Sequence, residues 1–165
     1  MSRPYHRHPQ PYIHRFARAG ERLRVGALVE YRPDPTDRRH WLLFTHSQPG
    51  GDHQNLFVAP DRGLEYVEEG DDALVIQIFG ACEFPAILRR GEKVNRGQYE
   101  LGMKYGSPLV SAGDGTGALV HGSRFVNAAR VCGTATEDLD LTDAEEDGIV
   151  VMRTQIYIGE IAVAG

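Results

Sequence analysis

Three histidines, His40, His46 and His53, stand with five and six residues between them. Imidazoles on a strand share a face, and so a metal, when one residue separates them. Here turn residues intervene, and no carboxylate or cysteine pattern completes a site, so solvated loop histidines are expected. Asp138, Asp140, Thr142 and Asp143 resemble the start of a calcium loop. Such a loop needs glycine at its sixth position, where Asp143 stands. Thr142 with Glu145 three residues on would also suit a capped helical turn. A solvated acidic segment over Glu137–Asp147 is the expectation. Gly113-Asp114-Gly115-Thr116-Gly117 lacks the lysine and the strand-to-helix setting of a phosphate loop. Its residues instead suit the tip of a β-hairpin.

Nucleophile signatures are missing. There is no G-x-S-x-G turn, Ser107 precedes Pro108, Ser111 falls in a turn, and Cys132 lies beside Gly133. Cys82 and Cys132 are the only cysteines, too few for a four-thiolate zinc site. Two buried thiols are expected rather than a disulfide, in keeping with synthesis in a reducing cytoplasm. No set of residues calls for catalysis, a metal or a cofactor, although catalytic groups can assemble from distant loops.

The elements that would position these groups read as β-strands. Leu23, Val25, Ala27, Val29 and Tyr31 alternate with more polar residues and predict one strand. Trp41–Phe44 and Asn55–Ala59 predict two more. Ala73–Gly80 is nearly continuous, apolar and β-branched, the pattern of a strand in the middle of a sheet. Phe84–Leu88 resumes β structure, with Pro85 restricting it to a strand start or an edge. Glu92–Leu101 is expected to make one or two helical turns. Pro108–Val120 reads as a hairpin, and Ala128–Thr134 and Ile149–Ile158 as the last strands. Eight or nine short strands with glycine-rich turns predict an all-β fold, a small barrel or sandwich.

The chain has 165 residues, of which 41% are apolar and 25% charged, as in soluble globular domains. No apolar run approaches the roughly 20 residues of a spanning helix, and none follows the start as a secretory signal would. Neither a membrane nor a nucleic acid is an expected partner. The net charge of -5 is unevenly placed: residues 1–20 hold Arg3, Arg7, Arg15 and Arg18 and no acid, giving +4 against -9 for the remainder. Pro4, Pro9 and Pro11 oppose a regular helix there. Residues 1–22 are therefore expected to form an extended basic arm on a β body of residues 23–165. Tyr12, Ile13 and Phe16 make the arm too apolar for solvent filler. A frayed terminus, a clamp on a neighbouring subunit or an acidic protein surface, and a weak nucleic-acid contact are its three readings; the clamp is favoured on electrostatic grounds.

The order of pieces carries a resemblance. "VGALVEY" is followed by "DDALVIQIFG", then "YGSPLVSAGDGTGALV", "ARVCGTATED" and "DGIVVMRTQIY". Over roughly residues 20–160 this resembles the β-barrel proteins that decorate tailed-phage heads, the capsid decoration or cement proteins. The resemblance implies a non-enzymatic structural protein on the outer surface of a mature virion, made in the host cytoplasm. It implies the major capsid protein as partner, a homo-oligomer with a trimer favoured, and an arm that contacts capsid or neighbouring subunits through Arg3, Arg7, Tyr12, Ile13, Arg15, Phe16 and Arg18. Two other classes stay open: a trimeric β-fold nucleotide hydrolase with carboxylates converging between subunits, and a glycan-binding spike module using Trp41, Tyr66, Tyr99 and Tyr105.

Overall fold

The computed structural model describes residues 11–100, 103–124, 128–154 and 160–162. Within them the chain is all-β. The first half holds β1 (Tyr12–Arg18), β2 (Leu23–Arg24), β3 (Val29–Pro33), β4 (Trp41–Thr45), β5 (Leu56–Val58), β6 (Tyr66–Val67) and β7 (Asp72–Ile78). The second half holds β8 (Glu83–Leu88), β9 (Lys93–Val94), β10 (Gln98–Glu100), β11 (Met103–Tyr105), β12 (Pro108–Ser111), β13 (Leu119–His121), β14 (Ala128–Ala135), β15 (Leu139–Asp140), β16 (Gly148–Arg153) and β17 (Glu160–Ala162).

Five of these strands close on themselves. In the order β12-β13-β8-β16-β14 each pairs with the next, and β14 pairs back with β12. Closure removes the edges that an open sheet would expose. Residues of one parity point inward: Phe84, Ala86 and Leu88 from β8, Leu109 from β12, Leu119 from β13, Cys132 from β14, and Val150 and Met152 from β16. Val110, Val120, Ala129 and Val131 form a second cluster outside the barrel. The hairpin expected over Pro108–Val120 is present, with Leu109 opposite His121 and Ser111 opposite Leu119. Its tip places Gly113, Gly115 and Gly117 at positive φ.

The barrel seam depends on glycine. A Cβ on Gly106 would fall onto the carbonyl oxygen of Ala135, at the point where Ala135 N donates to Ser107 O. Gly106→Ala should therefore force β12 away from β14 and lower stability by about 1–3 kcal/mol, the usual cost of overpacking. Urea unfolding of the two proteins measures it, and an unchanged midpoint would show that the seam can widen.

Against the barrel lies a three-stranded sheet ordered β1-β7-β5. Its middle strand is buried on both faces: Ile76 and Ile78 join the barrel core, while Ala73 and Val75 face a second core with Leu23, Val29, Leu43 and Ile87. This explains the continuous apolar run of β7. Phe57 of β5 meets Phe84 of β8 with ring centroids 5.0 Å apart, joining sheet to barrel.

Several expectations are corrected. Residues 23–31 are not one strand, because Gly26 turns the chain at a φ of +93° between β2 and β3. Glu92–Leu101 makes no helical turn over its described part. Gly91 and Gly97 sit at positive φ, and Val94 is drawn into the barrel core by pairing with Leu139. Pro85 lies inside β8 opposite Val151, where its nitrogen points away from β16 toward the strand's open side. The acidic segment is not simply solvated, and Thr142 caps no helix. Glu137, Asp138 and Asp147 accept hydrogen bonds from the backbone N–H groups of Val151 (2.9 Å), Arg96 (2.8 Å) and Arg90 (2.8 Å), and Asp140 closes a turn on Thr142. Short strands leave many amides without a ladder partner, and these carboxylates supply one. The buried Glu92 does the same for His121 N at 3.1 Å and pairs with Arg124.

Candidate contact surface

Tyr12–Arg18, the described part of the expected arm, is laid down as β1. It pairs antiparallel with β7 through all seven residues, from Tyr12 opposite Ile78 to Arg18 opposite Asp72. The segment is extended, and it is also a strand at the edge of the body. Phe79 N donates to Pro11 O and Ala19 N to Asp71 O. The odd-numbered residues between them therefore turn their backbone groups toward β7. Tyr12, His14 and Phe16 turn theirs outward, while at Arg18 the outer side of the strand is met by β4 through the parallel bridge of Ala19 with Leu43.

Side chains give this edge its chemistry. Tyr12 packs against the barrel core and stacks edge-on to His14 at 4.9 Å. Ile13 is 46% exposed and Phe16 59%, with Phe79, just after β7, exposed beside them. Arg15 lies over the Tyr31 ring at 4.9 Å, and Arg18 is exposed. Tyr12, Ile13, Arg15, Phe16 and Arg18 thus fall on one strand; Arg3 and Arg7 lie outside the described residues.

At its C-terminal end β1 meets the β3–β4 hairpin. Gly20 N donates to Leu43 O, and from that junction a groove of about 750 Å³ opens. It is lined by Phe16, Arg18 and Gly20 from the end of β1, by Trp41 and Phe44 from β4, and by the carboxylates Asp34, Glu69 and Asp72. The Phe44 ring is held between Gly20, whose Cβ would strike it, and the guanidinium of Arg32 at 4.3 Å. Trp41 shares the parity of buried Leu43 and Thr45, which argues for a core position. It is nevertheless 59% exposed, because it pairs with Pro33 at the far end of the hairpin, beyond the core. Sequence alternation gave no sign of this groove. Of the other aromatics weighed for glycan stacking, Tyr66 stacks under Arg22 at 3.9 Å, and the side chains of Tyr99 and Tyr105 lie outside the described residues.

The histidines divide. His40 is exposed and pairs with Asp37 at 2.9 Å, as a solvated loop residue would. His46 and His53 are not solvated. His46 is buried, its Nε2 donating to Asp52 O and its Nδ1 accepting from Ser111 Oγ, both at 2.6 Å. His53 Nδ1 accepts from Asn55 N at 3.0 Å, which leaves its proton on Nε2, 3.3 Å from Cys132 Sγ. Enclosure, reinforced by neighbouring His46, brings the His53 pKa down to about 4, and burial pushes the Cys132 thiol up. A neutral thiol thus faces a protonated ring nitrogen, which is an arrangement for packing rather than for making a thiolate. Both cysteines are free, Cys132 inside the barrel and Cys82 half-buried just before β8. Among the described residues no three His, Cys, Asp or Glu side chains gather as a metal site.

No protein-family model matches the chain, and no curated protein matches it. Among solved structures it is similar to the N base of the head fiber gp8.5 of bacteriophage phi29, with 17% sequence identity, a TM-score of 0.49, and coverage of 91% of this chain and 99% of that chain.

Proposed function

We propose that this protein is a non-enzymatic structural component of a tailed-phage head, bound to the outer surface of the mature capsid and stabilising it. The observation that carries the reading is β1: a seven-residue strand with exposed Ile13 and Phe16, two arginines, and outward amides at Tyr12, His14 and Phe16, up to the point where β4 meets it at Ala19. An edge of this kind accepts an extended segment of a partner by strand addition, with backbone hydrogen bonds supplying affinity and alternate side chains supplying specificity. Arg15 and Arg18 favour a partner segment that is itself acidic at the point of contact. The order of the sequence pieces, similar to that of decoration proteins, points the same way. Binding only to the expanded shell stabilises it by linkage, about 2.7 kcal/mol per site at a hundredfold excess over Kd.

The test is co-sedimentation with empty shells of the source virus, before and after expansion. Saturable binding to expanded shells alone is expected. His14→Pro removes one outward N–H from an edge strand while leaving the bonds to β7 in place. It should weaken shell binding about tenfold, the loss of one or two well-made contacts, with unfolding little changed. Full binding by this variant would remove strand addition from the mechanism, and failure of the parent protein to bind either shell would discard the reading.

A further inference from the structure

We infer that the groove between β1 and the β3–β4 hairpin is the seat for the arginine-bearing N-terminal segment, residues 1–10, of a second copy of this chain. The inference rests on the proposed reading only in treating the N-terminal segment as a contact arm, and it names what the arm contacts.

Charge complementarity points to this occupant. The groove is lined by three carboxylates, Glu69, Asp72 and Asp34, against one arginine, Arg18, and by the exposed Phe16 and Trp41. Among the described residues neither Glu69 nor Asp72 makes an ion pair; Asp72 lies opposite Arg18 on the adjoining strand without closing one. Carboxylates beside open aromatic faces receive a guanidinium, which accepts both a charge partner and a ring. Among the described residues guanidinium stacks on a ring three times, Arg15 on Tyr31, Arg22 on Tyr66 and Arg32 on Phe44. Residues 1–10 bring Arg3 and Arg7 with no acid.

Reach decides between the chain's own segment and a neighbour's. Pro11 is tied at the opposite end of β1, its carbonyl accepting from Phe79 N at 2.6 Å and Gly80 N at 3.1 Å. From there to Ala19, which also lines the groove, is eight residues, roughly 26 Å of extended chain at about 3.3 Å each. Arg7 is four residues from Pro11, so a chain doubling back carries it only about half that distance. Seating both arginines therefore needs a second molecule. Passing each arm to the next copy is a head-to-tail contact, which closes into a ring when the rotation allows.

The test uses the full chain, with mass by analytical ultracentrifugation over a concentration series and emission from Trp41, the single tryptophan. The parent should self-associate, less so at high salt, with Trp41 shielded. Arg3→Glu with Arg7→Glu, or Glu69→Arg with Asp72→Arg, should each weaken association about tenfold or more and expose Trp41. An equimolar mixture of the two double variants should associate again, since one supplies an acidic arm and the other a basic groove. That recovery cannot arise from misfolding of either. A parent that stays monomeric, variants that keep the parent's mass, or a mixture that fails to recover would each overturn the inference. Shell co-sedimentation of the same variants is read separately, so loss of self-association and loss of shell binding are distinguishable.

Discussion

Phe57→Ala should lower the unfolding free energy by about 3–5 kcal/mol, the range for deleting a fully buried ring. Phe57 is completely buried, and its ring lies against Phe84 across the junction of the β1-β7-β5 sheet and the barrel. β5 is only three residues long, so little backbone pairing holds it if the ring goes. A domain of this size has about 5–15 kcal/mol in total. The substitution therefore takes a large share, and the protein should unfold at markedly lower urea with one transition. Two separated transitions would show that the sheet and the barrel fold as independent units. Ile149→Ala is the control: that side chain is 43% exposed on β16, and its loss should cost well under half as much.

Acidification should destabilise the protein well before its carboxylates protonate. His53 has a pKa of about 4 in the fold against 6.5 as its ordinary value. Between those values the unfolded chain holds a proton that the folded chain refuses, so stability rises with pH there. The contribution of His53 is complete above pH 6.5, falls as the pH drops toward 4, and is spent below that. The difference corresponds to about 2–3 kcal/mol, taken below the full linkage value because the ring is partly open to solvent. The groups around it are His46, Asp52, Arg130 and Cys132; His46 and the Arg130 charge oppose the charged ring, while the Arg130 backbone and Asp52 favour it without offsetting the burial. Urea midpoints at pH 7.5 and pH 5 measure the slope. His53→Gln should flatten it, and an equal slope in both proteins would assign the acid sensitivity to other groups.

Local pattern carried much of the fold. The apolar runs of Trp41–Phe44 and Ala73–Gly80 and the glycine-rich tip between Pro108 and Val120 specify strands and a hairpin whatever lies beside them. Pro85, expected at a strand start or an edge, instead sits inside β8, where its missing N–H faces away from β16 and costs no bond to it. What local pattern misread were positions where a distant contact overrides it. Val94 left a helical-looking stretch because Leu139, far along the chain, offers it a strand partner and a buried place. His46 and His53 look solvated until Ser111 and Cys132 arrive from β12 and β14 to hydrogen-bond them. Trp41 looks buried until the hairpin carries it past the core.

The candidate surface divides the same way. Composition alone established that the N-terminal residues are basic, extended and partly apolar, because charge, proline geometry and residue type are local properties. Whether that segment stands off the body was for tertiary structure to decide: β7 offers seven partners in register, and Tyr12–Arg18 takes them all. The groove beside it is wholly tertiary. Phe16, Trp41 and the pair Glu69 and Asp72 come from three separate stretches, and only the packing of β1 against β4 and β7 brings these rings and carboxylates around one opening.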